Sequence, residues 1–286
     1  MSLGLTKTKR RIFTVKSTQK ITKAMEMVAT VKLKKFREAM DKDAFYSIEM
    51  QRLMGTLFIH DLETGTHYGK LNLEARGNLY IVISSNLGLC AGYNNNLYKL
   101  IDSIVNPIDT IAPIGTKGIA HFRHDERYQR LSMAYADLNL TVDMKEIHRA
   151  CSLMKDQFNE GRYQKILLVY TKYVNSMNFM PETYQLLPVS FPSKIDPELE
   201  PCPPLFEPDA RKMIHEVLPQ YLASVFYSKL VEAQLSEQAS RRTAMDAAND
   251  NADDLIDKLT IEYNKARQGA ITQQITEVVS GSNAQK

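Results

Sequence analysis

Cys90, two histidines at His121 and His124, and the glycine loops Gly88–Gly92 and Gly115–Gly118 are the residues whose types and spacing could do chemistry in this 286-residue chain. Each falls short of a complete site. Gly115-Thr-Lys-Gly118 sets a lysine in a glycine loop but lacks the G-x-x-x-x-G-K-[ST] spacing that lets backbone N–H groups cradle a phosphate. Gly88-Leu-Cys-Ala-Gly92 lacks the G-x-G-x-x-G order of a dinucleotide loop. His121-x-x-His124 has no Cys or carboxylate cluster to complete a metal set, and a solvated helix face is the expectation there. Cys90 would need a histidine brought close in space to act as a nucleophile; a small packing residue is the expected role. No Ser-His-Asp order stands out. The expectation is a protein that is not itself a catalyst and holds no cofactor or metal.

The chemistry left is charge. Residues 1–40 hold eleven Lys or Arg against Glu26 and Glu38, a local balance of +9 in a chain of net +3, so the remainder carries −6. Lys7, Lys9, Arg10, Arg11, Lys16, Lys20 and Lys23 could neutralise phosphates, which makes a basic coiled-coil nucleic-acid or scaffold protein one reading. Aromatic residues for base stacking are sparse there (Phe13 and Phe36), and no zinc-finger or RNA-recognition signature occurs.

The elements that carry these charges follow from where helix breakers are absent. All eleven prolines fall between Pro107 and Pro219. Neither Gly nor Pro occurs between Gly4 and Gly55, a run of 50 residues, nor from Gln220 to Gln268, a run of 49. Both runs are rich in helix formers, with mostly apolar residues near a 3-and-4 spacing: Val15, Thr22, Met25, Ala29 and Phe36 in the first, Ala248, Ala252, Leu255, Leu259 and Ala266 in the second. Two helices of roughly 75 Å each follow. A middle segment of residues 56–207 would be about 40 Å across, too small to cover them. The simplest arrangement is an antiparallel coiled coil, with several shorter helices joined by turns as the alternative. From Ala24 to Val31 apolar side chains point round nearly the whole circumference, and Ile271, Ile275, Val278 and Val279 repeat the theme, so burial inside another protein is expected. Packing against the chain's own middle is the other reading.

In the middle, Leu79–Ile83, Thr110–Ile114, Lys165–Thr171 and Tyr184–Leu187 read as strands, with helices from Tyr93 and over Met144–Phe158. Their alternation predicts an α/β layer with a largely parallel sheet. Residues 192–208 hold six prolines, a stiff connector. The expected division is 1–56 for the first coiled-coil helix, 75–195 for the α/β domain and 208–286 for the second helix. No 18-residue apolar span or secretory signal is visible, the start reads as mature without a transit peptide, and three scattered cysteines fit a reducing compartment.

Three separated motifs then carry a resemblance. Thr18-Gln-Lys-Ile-Thr-Lys-Ala-Met-Glu-Met-Val-Ala29 looks like the N-terminal signature of the gamma subunits of F-type rotary ATPases and ATP synthases. Asn264-Lys-Ala-Arg-Gln268 with Ile271-Thr272 and Ser280-Gly281 resembles their C-terminal signature, and Gly88-Leu-Cys-Ala-Gly-Tyr-Asn94 is similar to their internal loop. The resemblance implies a central rotor shaft, one copy per complex, lying within a hexamer of alternating alpha and beta subunits and turning with the epsilon subunit and a membrane ring. It also implies a peripheral place on the cytoplasmic face of a bacterial cell membrane and a partner other than nucleic acid. By the same resemblance Met25 and Val28 belong to the bearing region, Lys20, Lys23 and Arg241 meet acidic segments of the beta subunits, and Gln268 and Thr272 hydrogen-bond a beta-subunit loop. Gly88, Leu89, Cys90, Leu205, Phe206 and Glu207 match the foot that faces the epsilon subunit and ring. Two departures are Gln274, where the family often has glutamate, and Asn86-Leu87, where it has Asp followed by Arg or Lys. The second leaves open a rotor that is not coupled to a standard ion ring.

Overall fold

The computed structural model describes residues 2–60, 67–72, 74–75, 77–129, 140, 143–175, 178–190, 205–207 and 209–283. The connector expected over 192–208 and Cys202 lie largely or wholly outside them. Two long helices frame the chain: α1 is Ser2–His60 and α6 is Ala210–Asn283. Between them lie β1 (Leu79–Ile83), α2 (Tyr93–Ile104), β2 (Thr110–Ile114), α3 (Thr116–Phe122), α4 (Glu126–Gln129), α5 (Met144–Asn159), β3 (Ile166–Tyr173) and β4 (Phe179–Leu187). The chain divides into two compact units, residues 1–30 with 241–286, and residues 31–240. The boundaries between the units fall within both long helices.

The first unit is a helix pair. Covered or half-covered positions on α1 run Leu5, Thr8, Ile12, Val15, Gln19, Thr22, Glu26 and Ala29, and on α6 Met245, Asn249, Ala252, Ile256, Leu259 and Tyr263. Steps of 3 and 4 alternate without a break, a 3.5-residue repeat that winds two helices left-handedly around one seam. The seam is half polar. Asn249 Nδ2 donates to Glu26 Oε2 at 2.7 Å, and Asn249 Oδ1 accepts from the Thr22 hydroxyl. A buried amide layer of this kind costs stability and fixes register, because sliding either helix leaves its polar atoms unpaired.

The second unit is the α/β domain with the adjoining parts of both helices. The repeat continues on α1 through Leu33, Phe36, Met40, Asp43, Ser47, Met50, Met54 and Leu57. Leu33 packs with Leu235 and Ala239, while Asp43 lies against Ser228 and Tyr227, so partner numbers on α6 fall as those on α1 rise. The pairing is antiparallel. Burial of its carboxylate in the seam raises the Asp43 pKa, and the Ser228 hydrogen bond opposes that rise.

The sheet order is β2-β1-β3-β4, with β1 parallel to β2 and β3, and β4 antiparallel to β3. β1 is buried along its whole length, which is why its sequence, LYIVI, is continuous and not alternating. Asp143 starts α5 by accepting from the backbone N–H of Lys145. β4 begins five residues before the expected Tyr184.

Both long helices run past the ends of the stretches free of glycine and proline, α1 to His60 and α6 from Ala210 to Asn283. Gly55 lies inside α1, and Pro219 and Gly269 lie inside α6. A glycine costs about 1 kcal/mol in a helix interior and a proline about 3. Around Gly55 and Pro219 tertiary burial offsets this: Met54 and Leu57 are fully buried, as are Leu218 and Tyr221 to within 4%.

From Tyr221 to Ser240 α6 shows no exposed residue. It crosses the C-terminal edge of the sheet between β1 and β3. Ser240 Oγ donates to the carbonyl of Cys90 at 2.7 Å, Tyr93 Oη donates to the carbonyl of Ala233 at 3.2 Å, and the N–H of Tyr173 donates to Glu232 at 3.3 Å. Open α/β sheets take ligands at this point, where connections leave in opposite directions. Here the chain's own helix fills it.

Candidate partner-binding surfaces

The glycine loops prove structural. Gly115 has φ +94°, and a Cβ there would clash with the carbonyl of Ser84, whose carbon lies at 2.9 Å. A Cβ on Gly118 would strike the Ser84 hydroxyl and lie 3.1 Å from its Cβ. The N–H groups that start α3 are spoken for: Thr116 donates to Asn86 Oδ1 at 3.0 Å, Lys117 to the carbonyl of Ser85 at 3.1 Å and Gly118 to Ser84 Oγ at 2.8 Å. A phosphate would find none of these backbone donors free. Asn86, read from the sequence as a missing charge, is the side chain that ties this loop to the end of β1. Gly115→Ala is expected to cost about 2–4 kcal/mol through positive φ and steric overlap, read as a lower thermal midpoint of the purified chain.

Cys90 is 3% exposed and accepts a hydrogen bond from Asn94 Nδ2 at 3.5 Å. Its neighbours Leu89 and Ala91 have φ of 60° and 46°, a left-handed backbone that non-glycine residues rarely adopt. The strain is held by Ser85, whose hydroxyl donates to the Leu87 carbonyl at 2.7 Å and whose N–H donates to Asn94 Oδ1 at 3.1 Å. The result is a braced tip that presents Leu87 and Leu89 to solvent at 60% and 62% exposure. His121 is not simply solvated: its ring stacks on Tyr98 at 3.9 Å and 8°, while His124 is exposed. Burial raises the Tyr98 phenol to about 12. Among the described residues no group of three or more His, Cys, Asp or Glu is placed to hold a metal ion.

In the first unit the exposed surface is apolar and charged at once. Phe13, Ile21, Met27 and Val28 on α1 stand in solvent, as do Ile261, Ile271, Ile275, Val278 and Val279 on α6. Only Ala29 of the Ala24–Val31 stretch is buried; Met25 is half-covered and Val28 is 54% exposed. From Asn264 to Ser280 every α6 residue except half-covered Ala270 is exposed. The charges sort by helix. Lys7, Lys9, Arg10, Arg11, Lys16, Lys20 and Lys23 are exposed on α1, whereas Asp246, Asp250, Asp253, Asp254, Asp257 and Glu262 are exposed on α6 against Lys258 alone in that stretch. The pair is electrostatically lopsided.

Site residues taken from the sequence fall into two groups. Lys20, Lys23, Val28, Gln268, Thr272, Leu89, Leu205 and Glu207 are exposed, and Gly88 and Met25 are half-covered. Lys23 sits 4.0 Å from Asp253, and Thr272 donates its hydroxyl proton to the carbonyl of Gln268 at 3.0 Å, leaving its lone pairs outward. Arg241 and Cys90 are buried at 4% and 3% exposure, and Phe206 is half-buried with its ring 5.3 Å from that of His60. The fold takes those three side chains for itself. Thr22 stands on the expected 3-and-4 repeat, while its partners Glu26 and Asn249 were not among the expected seam residues; the unbroken 3-and-4 spacing through polar residues was the available signal.

Against known proteins, the family model described as ATP synthase matches residues 4–285. The ATP synthase gamma chain of Mycoplasma mycoides subsp. mycoides SC is 35% identical over 284 residues, 97% of each chain. That of Desulforamulus reducens is 33% identical over 281 residues, 96% of this chain and 97% of the other. Among solved structures, a chain in the rotor of the Euglena gracilis mitochondrial ATP synthase shares the fold with TM-score 0.64 at 16% identity, over 95% of this chain and 100% of that one. A chain in the central stalk and c-ring of the Tetrahymena thermophila mitochondrial enzyme matches with TM-score 0.56 at 21% identity, over 80% and 99%. Full-length matches above 30% identity, on a fold of two long helices framing a small α/β sheet, establish that the chain belongs to the ATP synthase gamma-chain family.

Proposed function

We propose that this chain is the central rotor shaft of an F-type ATP synthase or ATPase, a non-catalytic subunit that carries rotation between an alpha/beta hexamer and a membrane ion-translocating ring. The observation that carries the reading is the first unit's surface. Apolar side chains stand exposed on both helices of a pair whose own seam is half polar, so the pair must be enclosed by neighbours to bury them. Its basic α1 and acidic α6 faces make it unequal around its circumference. A shaft that touched three catalytic subunits equally would shift none of them, since a conformational equilibrium moves only by differential contact.

In this reading Lys20, Lys23, Met25, Val28, Gln268 and Thr272 contact the beta subunits. The braced Leu87–Leu89 tip, with Leu205 and Glu207, faces the epsilon subunit and ring. Arg241 supports the helix pair from inside. Catalysis of nucleotide chemistry belongs to the hexamer. No helix among the described residues is long and apolar enough to cross a membrane, which fits a peripheral subunit held at the membrane by its partners, on the cytoplasmic face of a bacterial cell.

The test is affinity purification of the tagged chain from native membranes. Alpha and beta subunits are expected at three copies each per copy of this chain. Recovery alone, or with nucleic acid released by salt, overturns the reading.

A further inference from the structure

The α/β domain is tied to both long helices through one residue. Tyr173 ends β3. Its hydroxyl accepts from Arg37 Nη2 of α1 at 2.7 Å, and its N–H donates to Glu232 Oε1 of α6 at 3.3 Å. Its ring joins the small cluster of Leu33, Leu235 and Ala239 between the helices. The tie extends further into the sheet. Glu232 Oε2 accepts from Lys229 Nζ at 3.1 Å, and that ammonium lies 5.0 Å from the ring centre of Tyr170 on β3 and 5.3 Å from that of Tyr184 on β4. The Lys229 and Glu232 side chains are 21% and 13% exposed, so their attraction is little screened by water.

Elsewhere α6 meets the domain through apolar packing, hydrogen bonds to main-chain carbonyls at Ala233 and Cys90, and a side-chain hydrogen bond between Tyr221 and Tyr184. Close-packed apolar contact resists displacement without fixing one orientation, whereas charge-assisted hydrogen bonds weaken steeply when distance or angle shifts. The directional bonds add to the packed core a resistance that is specific to one orientation of the domain about the helices.

We propose that Tyr173, bridging Arg37 and Glu232, is the positioning residue that holds the helix pair and the α/β domain of this unit in one rotational register under load. The proposal rests on the rotor reading above. Torque arriving along α6 enters β3 at Glu232 and returns to α1 at Arg37, so the three elements turn together.

The experiment uses the assembled complex in inverted membrane vesicles, comparing wild type with Tyr173→Phe, Arg37→Gln and Arg37→Lys. Tyr173→Phe keeps the ring and its packing but removes the acceptor; Arg37→Lys keeps a cationic donor. ATP hydrolysis is read beside the proton gradient it builds, at low and at high opposing gradient. Tyr173→Phe and Arg37→Gln are expected to keep hydrolysis within about twofold, to pump normally at low gradient, and to lose about half or more of the steady gradient at high load. Arg37→Lys is expected to recover most of it, and the two losses to be non-additive because both remove one bond. Unchanged gradients in both variants overturn the proposal, as does a fall in hydrolysis and pumping in equal proportion at every load, which marks a merely structural role. Failure of the wild-type chain to assemble with the hexamer overturns the rotor reading instead.

Discussion

Ile271→Asp, Ile275→Asp and Val278→Asp together are expected to leave the melting of the isolated chain unchanged while lowering its assembly with alpha and beta subunits at least about a hundredfold. These side chains are 46%, 59% and 72% exposed, so within the chain they have little buried area to lose. Enclosed by partners, each would contribute about 1.5–3 kcal/mol on full burial, and an aspartate would add the cost of desolvating a charge. Half that apolar sum, about 2.3–4.5 kcal/mol, with the aspartates' desolvation added, exceeds the roughly 2.7 kcal/mol that corresponds to a factor of about one hundred. Co-purification yield and ATPase activity of the reconstituted complex report the result. Normal assembly would mean that this surface meets water in the working protein, and the enclosed-shaft reading would fail.

Phe226→Ala should act in the opposite place. Phe226 is 1% exposed on α6 and belongs to the main core of the second unit with Ile81, Leu168 and Leu222. Removing a buried phenyl ring costs about 3–5 kcal/mol, because transfer energy is lost and the cavity collapses only in part. At about 2–4 °C per kcal/mol for chains of this size class, the thermal midpoint is expected to fall by roughly 6–20 °C. Phe45→Ala is the control: its ring is 76% exposed, and its loss should change stability by less than about 0.5 kcal/mol. Equal effects of the two changes would contradict the burial assigned to α6.

The contrast between these variants follows the two units. In residues 31–240 most large apolar side chains find partners within the chain, and mutational cost should track burial. In residues 1–30 and 241–286 many do not, and cost should appear only when the complex forms. The seam of that first unit points the same way. Gln19, Thr22, Glu26 and Asn249 occupy covered positions that a free-standing coiled coil would fill with leucine or isoleucine. The buried Gln19 Nε2 has no hydrogen-bond partner among the described residues. Such a seam defines register more than it supplies stability.

Legible in the sequence were the existence and type of nearly every element. Long runs without glycine or proline gave two helices, because helix propensity and a 3.5-residue repeat add up over many residues. Continuous apolar runs gave β1, β2 and β3, because a strand buried on both faces has no polar side. The basic character of residues 1–40 was legible too, since charge is a sum over residue types. Gly55, Pro219 and Gly269 lie within the expected helix spans, and the helices hold through them because local propensity of about 1–3 kcal/mol yields to tertiary packing or to long-helix cooperativity.

Only the tertiary structure decided how the parts are joined. Asn86 read as an absent charge but closes the α3 loop. Arg241 read as a surface contact but is buried. Tyr173 carried no signal in its local sequence, yet it joins β3 to residues 136 positions before it and 59 after it. Composition and periodicity report what a segment does with its near neighbours along the chain. Which side chains meet across such separations depends on how the sheet and the two helices pack, and that is settled only when the chain has folded.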